Sequence, residues 1–103
     1  AVIVNAGRGP LIDEDALLRV LLDGHLSAAG LDVYSVEPPP STHPLLALDN
    51  VVATPHIASF TDGGVAAMSR AAVDQVLQLI RAEKPSNLVN PDAWPGRAGS
   101  ALS

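Results

Sequence analysis

Short unbroken apolar runs alternate along this chain with longer stretches in which apolar residues recur every three to four positions. Ala1 to Asn5 is a continuous β-branched run, the pattern of a strand covered on both faces. NAGRGP, with two glycines and a proline, then marks a tight loop. Asp13 reads as a helix N-cap, with Glu14 and Asp15 complementing the dipole of the first turn. Leu17, Val20 and Leu21 follow at helical spacing, and Gly24 stands where a glycine ends a helix of about three turns. Ala28 to Tyr34 predicts a second strand, SVEPPPSTHP a loop too rich in proline to be regular, and Asn50 to Thr54 a third strand stopped by Pro55.

From Thr61 to Glu83 the period is helical again. Val65, Met68, Ala72, Val76 and Leu79 share one face, and Arg70, Asp74, Gln78 and Arg81 the other. Gly63 and Gly64 weaken its first turn by about 1 kcal/mol each relative to alanine, so this helix is expected to start late or to lean on tertiary contacts. Lys84-Pro85 ends it, NLVNPDAWP reads as an extended segment with a turn, and GRAGSALS as a disordered tail. The expected division is a domain over 1–89 followed by a return segment and tail over 90–103. The order strand, helix, strand, long loop, strand, helix points to an α/β fold built on part of a parallel sheet.

Composition narrows the function classes. With 48% apolar and 17% charged residues the chain has the makeup of a packed globular domain. Its net charge is −5 and its six basic residues are scattered, which disfavours nucleic acid as a partner. Three aromatic residues offer no base-stacking platform. No apolar run approaches a membrane span, so no membrane partner is expected and a cytoplasmic location is the default. The absence of cysteine excludes disulfides and thiolate metal sites. The chain opens inside an apolar run, which reads as a piece cut from a longer protein.

Three sharp breaks each follow an apolar run and carry a chemically capable residue: Arg8, then Asp32 and Glu37, then His56. Loops leaving the carboxyl ends of parallel strands line a common crevice, so these residues are expected to converge. His56 exchanges protons near neutrality, and its bland alternative is a histidine that caps a strand or packs on Trp94. Glu37 beside an imidazole would favour the protonated ring, although an isolated loop glutamate is more often simply solvated. Asp32 ends a buried run, where a carboxylate needs partners. Arg8, between glycines that let a ligand approach the backbone, suits a bidentate grip on a carboxylate. His25 and His43 read as solvated surface residues. A metal site from Glu37, His43 and His56 has no HxH or HExxH spacing behind it, and no metal is expected.

Taken together, NAGRGPLIDEDAL, DGHLSAAGLDVYSVEP and HPLLALDNVVATPHIAS resemble the carboxyl-terminal part of the NAD-binding domain of the D-2-hydroxyacid dehydrogenase family, over about Val2 to Val89. The resemblance implies the second half of a Rossmann-like doubly wound parallel sheet, and hydride transfer between NAD or NADP and a small 2-keto or 2-hydroxy acid. It places the substrate-binding arginine at Arg8, the catalytic histidine at His56 and its carboxylate partner at Glu37. Ala6, Gly7, Asp32, His56, Ile57 and Ala58 would lie along the nicotinamide, and the parent would be a homodimer. Ala28, where a glycine is common, and Gly63-Gly64 depart from the pattern and bear on packing rather than chemistry. No G-x-G-x-x-G unit is present, so the piece is expected to be inactive alone. The rival class is a dehydrogenase-fold interaction module of the corepressor kind, whose dimerisation responds to NAD.

Overall fold

The computed structural model describes residues 1–94, and the GRAGSALS segment expected to be a disordered tail lies outside the described residues. The chain divides into two compact units, one over Ala1–Ala58 and one from Ser59 onward.

In the first unit, β1 (Val2–Asn5), β2 (Ala28–Leu31) and β3 (Val51–Ala53) form a parallel sheet in the order β1-β2-β3. Ile3 is in register with Ala29, and Ala29 with Val51, so these three share one face. Helix α1 (Glu14–Leu22) connects β1 to β2. Its N-cap Asp13 accepts the Ala16 N–H at 3.0 Å, and Gly24 takes φ +72° at its far end, as the sequence predicts. Leu17 and Leu21, one helical turn apart, are buried with Ala29, Leu31, Tyr34 and Leu45 in a single core. Burying each leucine contributes about 1.5–3 kcal/mol.

Two expectations change. The strand over Ala1 to Asn5 is not covered on both faces: Val4 is 72% exposed and Val52, on the same side of the sheet, 69%. Its β-branched sequence meets the core through Ile3 alone. The second strand stops at Leu31 rather than Tyr34: the Asp32 N–H still donates to the Asn5 carbonyl at 3.0 Å, but the Tyr34 N–H turns to the Glu37 carboxylate. Val33 and Tyr34 stay buried beyond the strand, which is why the apolar run reads as longer. The proline-rich loop is irregular as far as His43, as expected, and His43 caps a 3-10 turn over Pro44–Ala47 that follows it.

The second unit holds α2 (Asp62–Ile80) and a 3-10 turn over Pro91–Ala93, the latter inside the segment expected to be extended with a turn. Gly63 and Gly64 do not delay the helix. Thr61 Oγ1 accepts the Gly64 N–H at 2.9 Å, and a Cβ on Gly64 would sit 2.5 Å from the Ser59 carbonyl oxygen, so glycine is what permits this start. The helix ends three residues before the expected Glu83, where Ala82 turns left-handed at φ 59°. None of its residues is buried, and Val65, Met68 and Val76 are exposed. The expected apolar face is therefore not the one covered within this unit. Gln78 on the expected polar face instead accepts the Ser86 N–H at 3.0 Å.

Candidate active site

All the sequence-predicted site residues lie in the first unit, on the segments that leave β1, β2 and β3 at their carboxyl ends. Asn5, buried at the end of β1, shapes the first of these. Its side chain donates to the Arg8 carbonyl at 2.9 Å and accepts the Gly7 N–H at 3.1 Å. Arg8 itself is exposed and extended, and its guanidinium donates only to the neighbouring Gly7 carbonyl, at 2.8 Å. Gly9 serves a different purpose from the one its sequence implies. A Cβ there would overlap the Tyr34 carbonyl and the Ser35 nitrogen, so it lets the peptide of the second loop, rather than a ligand, approach the backbone.

Asp32 is 6% exposed, and its carboxylate braces the loop after β3. Oδ1 accepts the Thr54 hydroxyl at 2.6 Å and the Ile57 N–H at 2.9 Å, while Oδ2 accepts the Ala58 N–H at 2.9 Å. The Thr54 bond above all, with the two backbone donors, holds its carboxyl below the usual carboxylate range. Its buried charge is thus compensated by three donors. Tyr34 adds a second tie, its hydroxyl lying 3.0 Å from the Leu31 carbonyl and 3.1 Å from that of Thr54. Burial first, then the Asp32 charge, pushes its phenol upward and keeps it a neutral donor.

These ties present His56, which takes φ 56° directly after Pro55. A left-handed histidine is uncommon, and such backbones concentrate at functional sites. Its Nδ1 lies 2.6 Å from Glu37 Oε2, with the two side chains 47% and 36% exposed. Glu37 Oε1 accepts the Tyr34 N–H at 3.1 Å. The His56 hydrogen bond is the main cause holding the Glu37 carboxyl below its ordinary value, followed by the Tyr34 N–H, with the charges of His56 and Arg8 adding to them. Among the described residues nothing hydrogen-bonds His56 Nε2, so one ring nitrogen is oriented and the other faces outward. Arg8, Glu37 and His56 therefore belong to one end of the sheet.

His43 is not the solvated residue its position in the sequence implies. Its Nε2 lies 2.9 Å from Glu14 Oε2, and its Nδ1 accepts the Leu45 N–H at 3.3 Å. With Nδ1 accepting, the proton sits on Nε2 and donates to Glu14. That keeps His43 apart from the Glu37–His56 pair. Asn5, Gly9, Glu14 and Thr54 were not singled out as site residues by sequence reasoning, because each acts on backbone or on residues far along the chain.

Residues 1–58, more than half of the chain, match the family described as "D-isomer specific 2-hydroxyacid dehydrogenase, NAD binding domain". The chain belongs to that family. It is 50% identical over 91 residues to a glyoxylate/hydroxypyruvate reductase B of Erwinia tasmaniensis, covering 88% of this chain and 28% of that protein. Among solved structures, a D-isomer specific 2-hydroxyacid dehydrogenase from Xanthobacter autotrophicus Py2, in complex with NADPH and MES, is 40% identical with a TM-score of 0.74. That match covers 91% of this chain and 38% of the other. An NADPH-dependent glyoxylate/hydroxypyruvate reductase from Sinorhizobium meliloti, in complex with NADP and malonate, is 39% identical with a TM-score of 0.68, covering 78% and 25%. The chain thus spans between about a quarter and two fifths of the length of these relatives.

A dinucleotide would find only part of its site among these residues. A shallow pocket of about 340 Å³ lies over the open face of the sheet, floored by Val4, Gly30 and Val52 and rimmed by Ala6, Asp32 and Ile57. Its lining is mostly apolar with the Asp32 carboxylate at one edge, which suits the flat face of a heteroaromatic ring carrying an amide. A carboxylate has about four acceptor positions, and three at Asp32 are taken, so one remains for an amide donor. No glycine-rich phosphate-binding sequence occurs in the 103 residues. The residues present therefore fit the nicotinamide end. Among the described residues no helix is long and apolar enough to cross a membrane.

Proposed function

We propose that the whole protein to which this chain belongs reduces a small 2-keto acid to the D-2-hydroxy acid with NADH or NADPH, and that Arg8, Glu37 and His56 carry the proton transfer and anion binding. The observation that carries this reading is the 2.6 Å contact between Glu37 Oε2 and His56 Nδ1, which leaves Nε2 turned outward. The bound nicotinamide supplies the hydride. Glu37, held in its ionised form by the His56 hydrogen bond and the Tyr34 N–H, fixes the orientation of the ring. His56 Nε2–H then donates its proton to the carbonyl oxygen as that oxygen gains negative charge. Arg8, with no salt bridge among the described residues, grips the substrate carboxylate. Ala6, Gly7, Ile57 and Ala58 border the ring, and Asp32 offers its remaining acceptor position to the carboxamide.

The relatives named above are reductases or dehydrogenases, which favours an enzyme over an interaction module. The test is an assay of the full-length protein against a panel of 2-keto acids with NADH and with NADPH. His56→Asn is expected to lower kcat by about 10²–10⁴-fold, the usual worth of a general acid. Glu37→Gln removes the carboxylate that orients the ring, so it is expected to lower kcat for keto-acid reduction and to alter its pH profile. A His56→Asn protein that keeps full activity would overturn the assignment.

A further inference from the structure

The loop that carries Glu37 makes few hydrogen bonds of its own: the His43 N–H donates to the Pro40 carbonyl at 2.9 Å, and Glu37 Oε1 accepts the Tyr34 N–H at 3.1 Å. Pro38, Pro39 and Pro40 follow it without a single backbone N–H, and Val36 is exposed. Yet Glu37 must stay within hydrogen-bond reach of His56, from which it is separated by 19 residues. What fixes the loop is a carboxylate outside it. Glu14, the first residue of α1, accepts the Ser35 N–H through Oε1 at 2.7 Å and the His43 ring N–H through Oε2 at 2.9 Å. Ser35 begins the loop and His43 closes it, so both ends are tied to one side chain. His43 is anchored in turn, since its other nitrogen accepts from Leu45, which has no exposed surface. Gly9 of the Arg8 loop makes its close approach to the same Tyr34–Ser35 peptide.

We propose that Glu14 is a positioning residue for the reaction. It closes the loop over Ser35 to His43 as a clamp, and so sets where Glu37 stands relative to His56 and to the Arg8 loop. Glu14 touches neither Glu37 nor His56, and it acts on catalysis only through them. The inference rests on the reading of Glu37 and His56 given above. Displacing a catalytic group by about 1 Å can cost up to about 10²-fold in rate, so a loosened clamp is expected to show in turnover before it shows in folding.

The experiment is a double-mutant cycle in the full-length protein, with kcat, KM for cofactor and keto acid, and pH profile measured for each variant. Glu14→Ala is expected to lower kcat about tenfold, to leave KM for the cofactor unchanged, and to shift the pH profile in the direction of Glu37→Gln. Glu14→Gln keeps an acceptor for Ser35 but offers none to His43 if its amide nitrogen takes that side, so a smaller loss is expected. In the Glu37→Gln background, adding Glu14→Ala should cost nothing further in kcat. An equal tenfold loss in both backgrounds, or an unshifted pH profile, would overturn the clamp. If Glu14→Ala does not fold, Glu14→Gln carries the same cycle, and an unimpaired Glu14→Gln together with an unimpaired His43→Phe overturns the proposal. Loss of activity on changing His56 and Glu37 but not Glu14 rejects the clamp alone. Retained activity on changing His56 rejects the catalytic reading beneath it as well.

Discussion

Thr54 donates its hydroxyl to Asp32 Oδ1 at 2.6 Å, joining the residue that follows β2 to the residue that follows β3. From the same carboxylate the Ile57 and Ala58 N–H groups hang, one and two residues beyond His56. Asp32 thus sets where the loop bearing the proposed acid can be. In the full-length protein, Asp32→Ala is expected to lower kcat by about 10²-fold, the scale of a displaced catalytic group. Thr54→Val, which removes one of three donors, should cost less. Steady-state kinetics with circular dichroism as a folding control would check both, and an Asp32→Ala enzyme with unchanged kcat would refute the bracing role.

Acid should destabilise this chain through three carboxylates. Asp32 and Glu37 are held below the ordinary value by their hydrogen bonds, and so is Glu14, where burial pulls upward but the Ser35 N–H and His43 outweigh it. Each binds its proton more weakly folded than unfolded, so its stabilisation is complete above the ordinary carboxylate pKa of about 4 and is lost as pH falls through the lower folded value. The melting temperature is expected to hold from neutrality to about pH 5 and to fall below about pH 4. Asp32→Asn should flatten that fall, and an equally steep decline in the variant would contradict the linkage.

Two glycines make opposite predictions. Gly9→Ala forces a Cβ into the Tyr34–Ser35 peptide, where only backbone can yield, and should cost about 1–3 kcal/mol while raising KM for the keto acid in the full-length protein. Gly63→Ala meets nothing within 4 Å in the first turn of α2 and should stabilise by up to about 1 kcal/mol. Denaturant melts of the two variants give the signs directly.

In isolation the 103-residue chain is expected to self-associate. Val2, Val4 and Val52 leave one face of the sheet apolar and open, and an exposed apolar face recruits other chains. Light scattering should show a mass that grows with concentration, and Val4→Lys should reduce it. Millimolar NAD should leave the melting temperature unchanged, because no phosphate-binding loop contributes binding energy to the native state. A monomer that gains several degrees with NAD would show a complete cofactor site.

Period and punctuation along the sequence determined the three strands, the two helices, their parallel α/β order and the loops on which Arg8, Glu37 and His56 sit. Those features follow from local rules: the β-branched run before Asn5, the N-cap at Asp13, the left-handed Gly24, Pro55 after β3. The motif resemblance added the pairing of Glu37 with His56, which no local rule yields. Only the tertiary structure decided what Glu14, His43, Gly9 and Asp32 do. Glu14 looks like a residue placed for the helix dipole, and instead reaches Ser35 and His43, 21 and 29 residues away. Gly9 looks like a turn glycine, and instead admits the peptide of another loop. In each case at least one partner is a backbone N–H or carbonyl, which every residue type carries. A sequence records which side chains are available, but an interaction with backbone is specified by where the strand ends meet, and that is settled when the sheet closes around Leu17, Leu31 and Leu45.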